Sequence, residues 1–82
     1  MQKSIHSYQQ RKLQKLLREL RRQMGYRQKD LADVLNVPQS FVSKYEAGER
    51  RLDILELRSI CESMGIKLED FVRKLERIID EA

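Results

Sequence analysis

The strongest constraint on the fold of this chain is a helical spacing of apolar residues that glycine or asparagine interrupts at intervals. Over residues 8–24, leucines recur every three or four positions, which places them on one face of an α-helix. Four shorter stretches follow, and the three glycines and the single asparagine all stand at the ends of stretches. Because these two residue types most readily adopt the left-handed conformation that closes a helix, the pattern predicts an all-α domain of five helices.

The sequence also contains a capping signal at the start of one predicted helix and a cysteine on the apolar face of that helix. Asp53 is followed three residues later by Glu56, which is the capping-box pattern of a helix N-terminus. The single cysteine, Cys61, lies on the apolar stripe of that helix, so we predict a small core residue there and not a nucleophile. We expect helices over residues 8–24, 28–35, 39–47, between Asp53 and Gly65, and over residues 68–79.

The length and the charge distribution indicate one small domain with a polyanionic partner. We place this domain at residues 8–82 and predict that residues 1–7 form a flexible N-terminal segment. The net charge of +4 is uneven, because residues 1–51 carry 12 Lys and Arg against 5 Asp and Glu, whereas residues 52–82 carry 5 against 8. Charge runs are often only solvated faces, but this asymmetry suggests a polyanionic partner, such as nucleic acid, that faces the N-terminal half.

The composition also excludes several functional classes. One histidine, His6, and one cysteine cannot build the usual zinc site or a partnered Ser/His/Asp set, so we predict no metal, no cofactor, no catalytic residue and no enzymatic activity. A lone cysteine cannot form an internal disulfide, which is typical of the reducing cytoplasm. No apolar run approaches the roughly 18 residues that span a bilayer, and the N-terminus lacks the apolar core of a signal peptide. We therefore expect a cytoplasmic protein without membrane contact.

The second and third predicted helices are short and are joined by only three residues, 36–38, as a helix-turn-helix requires. The sequence around this joint resembles the Cro/repressor-type (XRE-like) helix-turn-helix family of small bacterial and phage DNA-binding regulators, which includes restriction–modification controller proteins. The family pattern is Gln-x-x-Leu-Ala, a turn, and Ser-x-x-Glu-x-Gly. The chain matches it over roughly residues 13–72, with Gln28, Leu31, Ala32, Ser43, Glu46 and Gly48 at the pattern positions. The resemblance implies a five-helix, lambda-repressor-like DNA-binding domain in which Leu68, Phe71 and Val72 complete the monomer core.

The chain departs from the family pattern mainly at helix ends. Arg27 stands where the family has Ser or Thr, Asn36 stands where it often has Gly, and Pro38 and Lys67 stand where it often has Ser or Thr. Arg27 loses a helix cap but adds a positive charge on the side expected to face phosphates. These departures bear on stability more than on the expected DNA binding.

The resemblance implies that the third helix lies in the DNA major groove. It places Gln39, Ser40, Ser43 and Lys44 toward the base edges. Their chemistry suits this position, because glutamine bonds adenine through two hydrogen bonds and lysine donates to guanine. Phe41 fits two environments equally well, the protein core or contact with a thymine methyl group.

The resemblance also implies phosphate contacts on both sides of the reading helix. In the family, the glutamine at the position of Gln28 bonds a phosphate at a helix N-terminus, where backbone N–H groups already favour an anion. The predicted phosphate-binding set consists of this glutamine and the cations near it or after the third helix: Arg27, Gln28, Lys29, Arg50 and Arg51. The family pairs the positions of Arg21 and Glu46 in a partly buried salt bridge, which we expect to orient the third helix.

Together these expectations predict a transcriptional regulator that binds a palindromic operator in double-stranded DNA as a homodimer. We expect Leu75, Ile78 and Ile79 to be exposed in a monomer and to form the dimer interface. In the alternative arrangement the last helix folds back on the first, and the loop after Met64 forms the interface. Controller, antitoxin and phage-type repressor roles all remain open within the family.

Two other functional classes compete with DNA regulation. An antitoxin-type or other protein-interaction module of the same fold would bind a protein partner, and the acidic, amphipathic C-terminal helix would be the docking element. RNA or membrane-surface binding by the basic first helix has less support, because the apolar face of that helix is needed for the core and no aromatic platform accompanies its charges.

Overall fold

Five helices make up the structure. The computed structural model describes the backbone of residues 2–81 and the side chains of residues 8–81. The helices are α1 (Gln2–Gln23), α2 (Gln28–Leu35), α3 (Gln39–Ala47), α4 (Ile54–Ser63) and α5 (Leu68–Asp80). No strand occurs in the described range, and the predicted all-α, five-helix fold is confirmed. The bounds of α2 and α3 are the predicted ones, and α5 ends one residue later than predicted.

The first helix is longer than its apolar spacing predicted. It begins at Gln2, not at residue 8, and has 22 residues. The side chains of residues 1–7, including His6, lie outside the described part of the chain, so the predicted flexibility of this segment stays a prediction. Charged residues recur throughout α1, and none of the described helices is long and apolar enough to cross a membrane.

Two residues in the left-handed conformation close the helices α2 and α3. Asn36 closes α2 with a φ of 59°, and the Val37 N–H then donates to the carbonyl of Ala32 at 3.0 Å. Gly48 closes α3 with a φ of 81°. A Cβ atom at Gly48 would lie 2.9 Å from the side-chain amide of Gln14. The left-handed conformation at the end of α3 therefore favours glycine, and a Cβ there would also displace the end of the Gln14 side chain.

The N-terminus of α4 is a capping box. The Asp53 carboxylate accepts a hydrogen bond from the Glu56 N–H at 2.7 Å, and the Glu56 carboxylate accepts one from the Asp53 N–H at 2.9 Å. This cap confirms the prediction made from the two residues' spacing. Glu56 also pairs with Arg50 in the preceding loop at 2.8 Å, so one carboxylate connects the start of α4 to that loop.

One apolar core joins all five helices. Each helix contributes at least one buried side chain to it, among them Leu17, Leu31, Val42, Ile60 and Phe71. Cys61 is buried in the same core, and this burial raises the pKa of its thiol to about 11. Because such a thiol stays protonated at neutral pH, Cys61 has the properties of a core residue and not of a nucleophile.

One residue of α5 contradicts its predicted packing. Phe71 is fully buried and Leu68 is half-buried, but Val72 is 38% exposed. The prediction that Val72 completes the core is therefore wrong. Successive residues of a helix point about 100° apart, so the rotation that directs Phe71 into the core turns Val72 toward solvent.

The end of α5 packs along α1. Leu75 and Ile78 are half-buried against the core. Ile78 lines a cleft with Leu16, and Ile79 lines a second cleft with Leu13. The sequence predicted that this stripe would be exposed in a monomer, but α1 covers much of it. The packing of α5 on α1 thus corresponds to the alternative in which the last helix folds back on the first.

The contrast between Phe71 and Val72 provides a test of this packing. Phe71→Ala removes a buried ring and leaves a cavity, so we expect the free energy of unfolding to fall by about 3–5 kcal/mol. Val72→Ala removes atoms that are partly in water, and we expect a change within about 0.5 kcal/mol. Urea unfolding followed by circular dichroism measures both. Comparable losses for the two variants would contradict the orientation of α5.

Candidate nucleic-acid interface

The candidate site is built on the short joint between α2 and α3. Leu31 and Ala32 of α2 belong to the same buried cluster as Val42 of α3, and the methyl side chain of Ala32 allows the two helices to approach closely. Pro38 precedes α3 with a φ of −64°, and its carbonyl accepts the Phe41 N–H at 3.0 Å. The joint therefore fixes where α3 starts and how it crosses α2.

The two faces of α3 have different environments. The inward face is buried and consists of Val42, Tyr45 and Glu46. The outward face carries the four predicted base-reading residues: Gln39, Ser40 and Lys44 are exposed, and Ser43 is half-buried. All four lie on one side of the helix because their spacing of one, three and four follows the helical repeat. The structure thus places the four polar side chains together on one accessible face.

Glu46 is a buried carboxylate paired with α1. It is 1% exposed, and its Oε2 and Oε1 atoms accept hydrogen bonds from Arg21 Nε at 2.7 Å and Arg21 Nη2 at 3.0 Å. The hydrogen bond with Glu46 is the main cause of the raised pKa of Arg21. The remaining guanidinium nitrogen, Nη1, donates to the Tyr26 carbonyl at 2.8 Å, so Arg21 also holds the loop between α1 and α2. The structure brings together the pair that the resemblance implied.

Two further side chains of α1 bind the end of α3. Gln14 Nε2 and Arg18 Nη2 donate to the backbone carbonyl of Glu46 at 3.0 and 3.1 Å. They satisfy a carbonyl in the last turn of α3, and the Arg18 cation lies at the negative end of that helix. Sequence analysis missed both roles, because a polar residue in α1 carries no sequence signal of a partner in α3.

The family glutamine is anchored inside the protein. Gln28 is half-buried at the first position of α2, and its Nε2 donates to Glu46 Oε1 at 3.0 Å. An amide nitrogen carries two hydrogens, so this bond leaves one for another acceptor. Glu46 thereby connects α1, α2 and α3 through a single carboxylate. This contact was not predicted from the sequence.

The cations beside Gln28 form exposed ion pairs. Arg27 pairs with Asp30 at 2.9 Å, and Lys29 pairs with Asp33 at 3.3 Å. The Arg27 side chain and its backbone N–H both bond the Asp30 carboxylate, which lowers the pKa of Asp30 to about 2. Exposed pairs of this kind contribute little to stability, so both cations can exchange their partners for a phosphate at small cost.

The two arginines of the loop after α3 differ sharply. Arg51 is exposed. Arg50 is engaged within the protein: its guanidinium pairs with Glu56 at 2.8 Å, donates to the Arg51 carbonyl at 2.8 Å, and lies 4.4 Å from the centre of the Phe41 ring. Of the five predicted phosphate-binding residues, Gln28 and Arg50 are the two that are half-buried.

Phe41 lies on the protein side of α3. It is half-buried against the core, meets Tyr45 edge to face at 5.7 Å between ring centres, and lines a cleft with Leu35 and Ile60. Arg50 covers one face of the ring. Of the two environments considered for Phe41, the structure has the packed one.

These features define a helix-turn-helix domain, and comparison with known proteins agrees. The helix-turn-helix family model HTH_3 matches residues 17–71, which run from α1 into α5. The chain belongs to this family of DNA-binding proteins and, by the relatives described next, to its XRE type. A comparison with curated protein sequences gave no match.

Several solved structures resemble the chain closely. An XRE-family like protein from Pseudomonas syringae pv. tomato str. DC3000 shares 43% identity over 94% of both chains, with a TM-score of 0.87. The restriction-modification controller protein C.Esp1396I shares 25% identity over 88% of this chain and 92% of that one, with a TM-score of 0.80. The clp gene regulator ClgR from Corynebacterium glutamicum, at 22% identity, 88% and 77% coverage and a TM-score of 0.76, supports the fold alone.

The buried carboxylate can be tested by removing it. Glu46→Ala leaves Arg21 without its partner at a position where Arg21 is only 7% exposed. We therefore expect the free energy of unfolding to fall by about 3–5 kcal/mol. Asp33→Ala is the matched control, because it removes an exposed carboxylate from the pair with Lys29 and should cost less than about 0.5 kcal/mol. Small and equal losses in urea unfolding would show that Arg21 and Glu46 are not energetically coupled.

Proposed function

We propose that the protein is a transcriptional regulator that binds double-stranded DNA as a homodimer, each protomer reading one half of a palindromic operator with α3. Membership of the helix-turn-helix family supports DNA binding, and the likeness to a controller protein supports regulation. A two-fold protein reads a two-fold site, with half-sites about one DNA turn, roughly 34 Å, apart.

The observation that carries this proposal is that α3 has one face buried and bonded within the protein and one face exposed. Glu46 and Tyr45 are buried on one side, whereas Gln39, Ser40 and Lys44 are exposed on the other. None of the hydrogen bonds among the described side chains engages these three residues. Base reading needs such a face, since the donors and acceptors must be unoccupied while the helix that carries them is fixed.

Phosphate contacts would come from both flanks of α3. On one side, Gln28 offers its second amide hydrogen, and Arg27 and Lys29 offer charges that exposed pairs hold only weakly. On the other side, Arg51 is exposed in the loop after α3. Contacts of this kind fix the register on DNA and make binding salt-dependent without reading sequence.

Two apolar surfaces are available for the dimer contact. The first is the predicted stripe of Leu75, Ile78 and Ile79, which α1 partly covers. The second consists of Ile54 and Leu55, which are adjacent and exposed in the first turn of α4. Leu55 is 70% exposed, and a dimer contact needs apolar area that is accessible in the monomer. The exposures therefore favour the second surface over the first.

The likeness to C.Esp1396I favours the controller type among the regulatory roles, and we place the protein in the cytoplasm, where its DNA would be.

An antitoxin-type module is the competing function. It would use the exposed apolar residues at the start of α4, or the acidic α5, for a protein partner. Specific duplex binding by the isolated protein separates the two, because a module whose main role is a protein partner has no need of it.

Base reading is tested by selecting bound sites from a random duplex pool. Gln39→Ala and Lys44→Ala should each relax the preference at particular base pairs, at a cost of about 1–3 kcal/mol against the preferred base. Arg51→Ala should instead weaken all sequences about equally and reduce the salt dependence of the logarithm of affinity by about one phosphate contact. If the Gln39 and Lys44 variants select the same site as the natural protein, α3 does not read the bases.

The dimer contact is tested by charge substitution on each surface. Leu55→Asp should convert the dimer to a monomer in sedimentation velocity and abolish cooperative binding to a site with two halves, because it buries an unpaired charge in the contact. Ile79→Asp is the comparison on the predicted stripe and should leave the dimer intact. The reverse result would assign the interface to the end of α5.

A further inference from the structure

Arg50 is the centre of a cluster that links three segments of the protein, and we name Phe41, Arg50 and Glu56 the arginine clamp. The Arg50 guanidinium lies 4.4 Å from the centre of the Phe41 ring in the first turn of α3. Its Nη2 atom donates to Glu56 Oε2 at 2.8 Å in the first turn of α4. Its Nη1 atom donates to the Arg51 carbonyl at 2.8 Å. One side chain thus connects α3, α4 and the loop between them.

The geometry of the clamp depends on properties that only arginine has. A planar guanidinium can stack its face on a ring while its edge donates several hydrogen bonds. A lysine ammonium is a point charge and cannot make both kinds of contact at the same time. The pair with Glu56 is partly buried, with side-chain exposures of 35% and 30%. Screening by water is therefore weaker here than at the exposed Arg27 and Lys29 pairs.

We propose, given the DNA-binding function proposed above, that Arg50 is a positioning residue and that Arg51 is the phosphate-binding residue of this loop. The Arg50 side chain bonds the backbone carbonyl of Arg51, and the clamp thereby holds the segment from which the Arg51 side chain projects. Through Phe41, which follows Ser40 directly, the clamp also holds the first turn of α3. The sequence predicted two equivalent phosphate ligands here, and the structure separates their roles.

Substitutions that keep the charge separate the two roles. Arg50→Lys keeps a cation that still suits a phosphate, but it loses the stacking on Phe41 and the paired hydrogen bonds to Glu56 and to the Arg51 carbonyl. We therefore expect affinity for the selected duplex to fall about five- to tenfold. Arg58→Lys, on the exposed side of α4, is the matched control and should change affinity by less than about twofold. Equal, small effects of the two substitutions would show that Arg50 is an ordinary phosphate ligand and would overturn the proposal.

Glu56→Gln gives a second test in which the two roles predict opposite signs. Glutamine still serves the capping box with Asp53, but it removes the charge that holds Arg50. If Arg50 acts through the clamp, DNA binding weakens about fivefold although the protein has lost a negative charge; if Arg50 binds phosphate, release from Glu56 strengthens binding. Glu62→Gln on the exposed side of α4 removes the same charge from the pair with Arg58 and controls for the change in net charge.

A measurement without DNA distinguishes failure of the clamp from failure of the proposed function. In the free protein, the N–H groups of Glu49 and Asp53 donate to the Lys44 carbonyl and the Glu56 carboxylate. Arg50→Lys and Glu56→Gln should speed amide hydrogen exchange at these two residues, whereas Arg58→Lys and Glu62→Gln should not. Unchanged exchange in the first two variants would overturn the clamp, whether or not the protein binds DNA. If the natural protein selects no duplex from a random pool but the exchange result holds, the clamp orders the loop and the DNA-binding proposal fails.

Discussion

The buried carboxylate of Glu46 is the interaction on which the arrangement of the helices depends. A carboxylate removed from water is costly unless charge and hydrogen bonds compensate it. Here Arg21 supplies two hydrogen bonds and the opposite charge, and Gln28 supplies a third hydrogen bond. These partners come from α1 and α2, whereas Glu46 belongs to α3. The carboxylate is satisfied only when the three helices have this mutual orientation.

Such a constraint matters because α3 has only nine residues. A helix of this length is not stable alone in water, and its position must come from contacts with the rest of the protein. Glu46 fixes its last turns, with Gln14 and Arg18 on the backbone carbonyl. Phe41, held beneath Arg50, fixes its first turn against α4. With both ends held from one side, the opposite side is left to Gln39, Ser40, Ser43 and Lys44.

The helices and their ends could be predicted because the signals for them are local. Asn36, Gly48 and the Asp53–Glu56 cap each act within a few residues, and each stands where the structure uses it. The pairing of Arg21 with Glu46 came only from the family resemblance, since the two residues are 25 positions apart. The core position of Val72 was also taken from the resemblance, and it is wrong because the rotation of α5 that buries Phe71 turns Val72 toward solvent.

The remaining contacts of the site could not be predicted because they depend on where long polar side chains turn. Arg50 and Arg51 are adjacent in sequence and identical in chemistry, yet one is bound inside and the other is exposed. Gln28 and Gln14 likewise contact Glu46 from positions whose sequence context marks no partner. Only the packed arrangement of α1, α3 and α4 decides which polar residues are used internally and which remain for a ligand.

The most direct test of this account is a crystal structure of the protein bound to a duplex that it selects. The account predicts that α3 lies in the major groove, with Gln39 and Lys44 within hydrogen-bond distance of base edges. Glu46 should keep its bonds to Arg21 and Gln28, and Arg51 should contact a phosphate while Arg50 stays on Phe41. A complex in which the DNA contacts another face, or in which Glu46 loses its partners on binding, would contradict the account. In this account, the contacts of the buried face hold α3 in place so that its exposed face can read the bases.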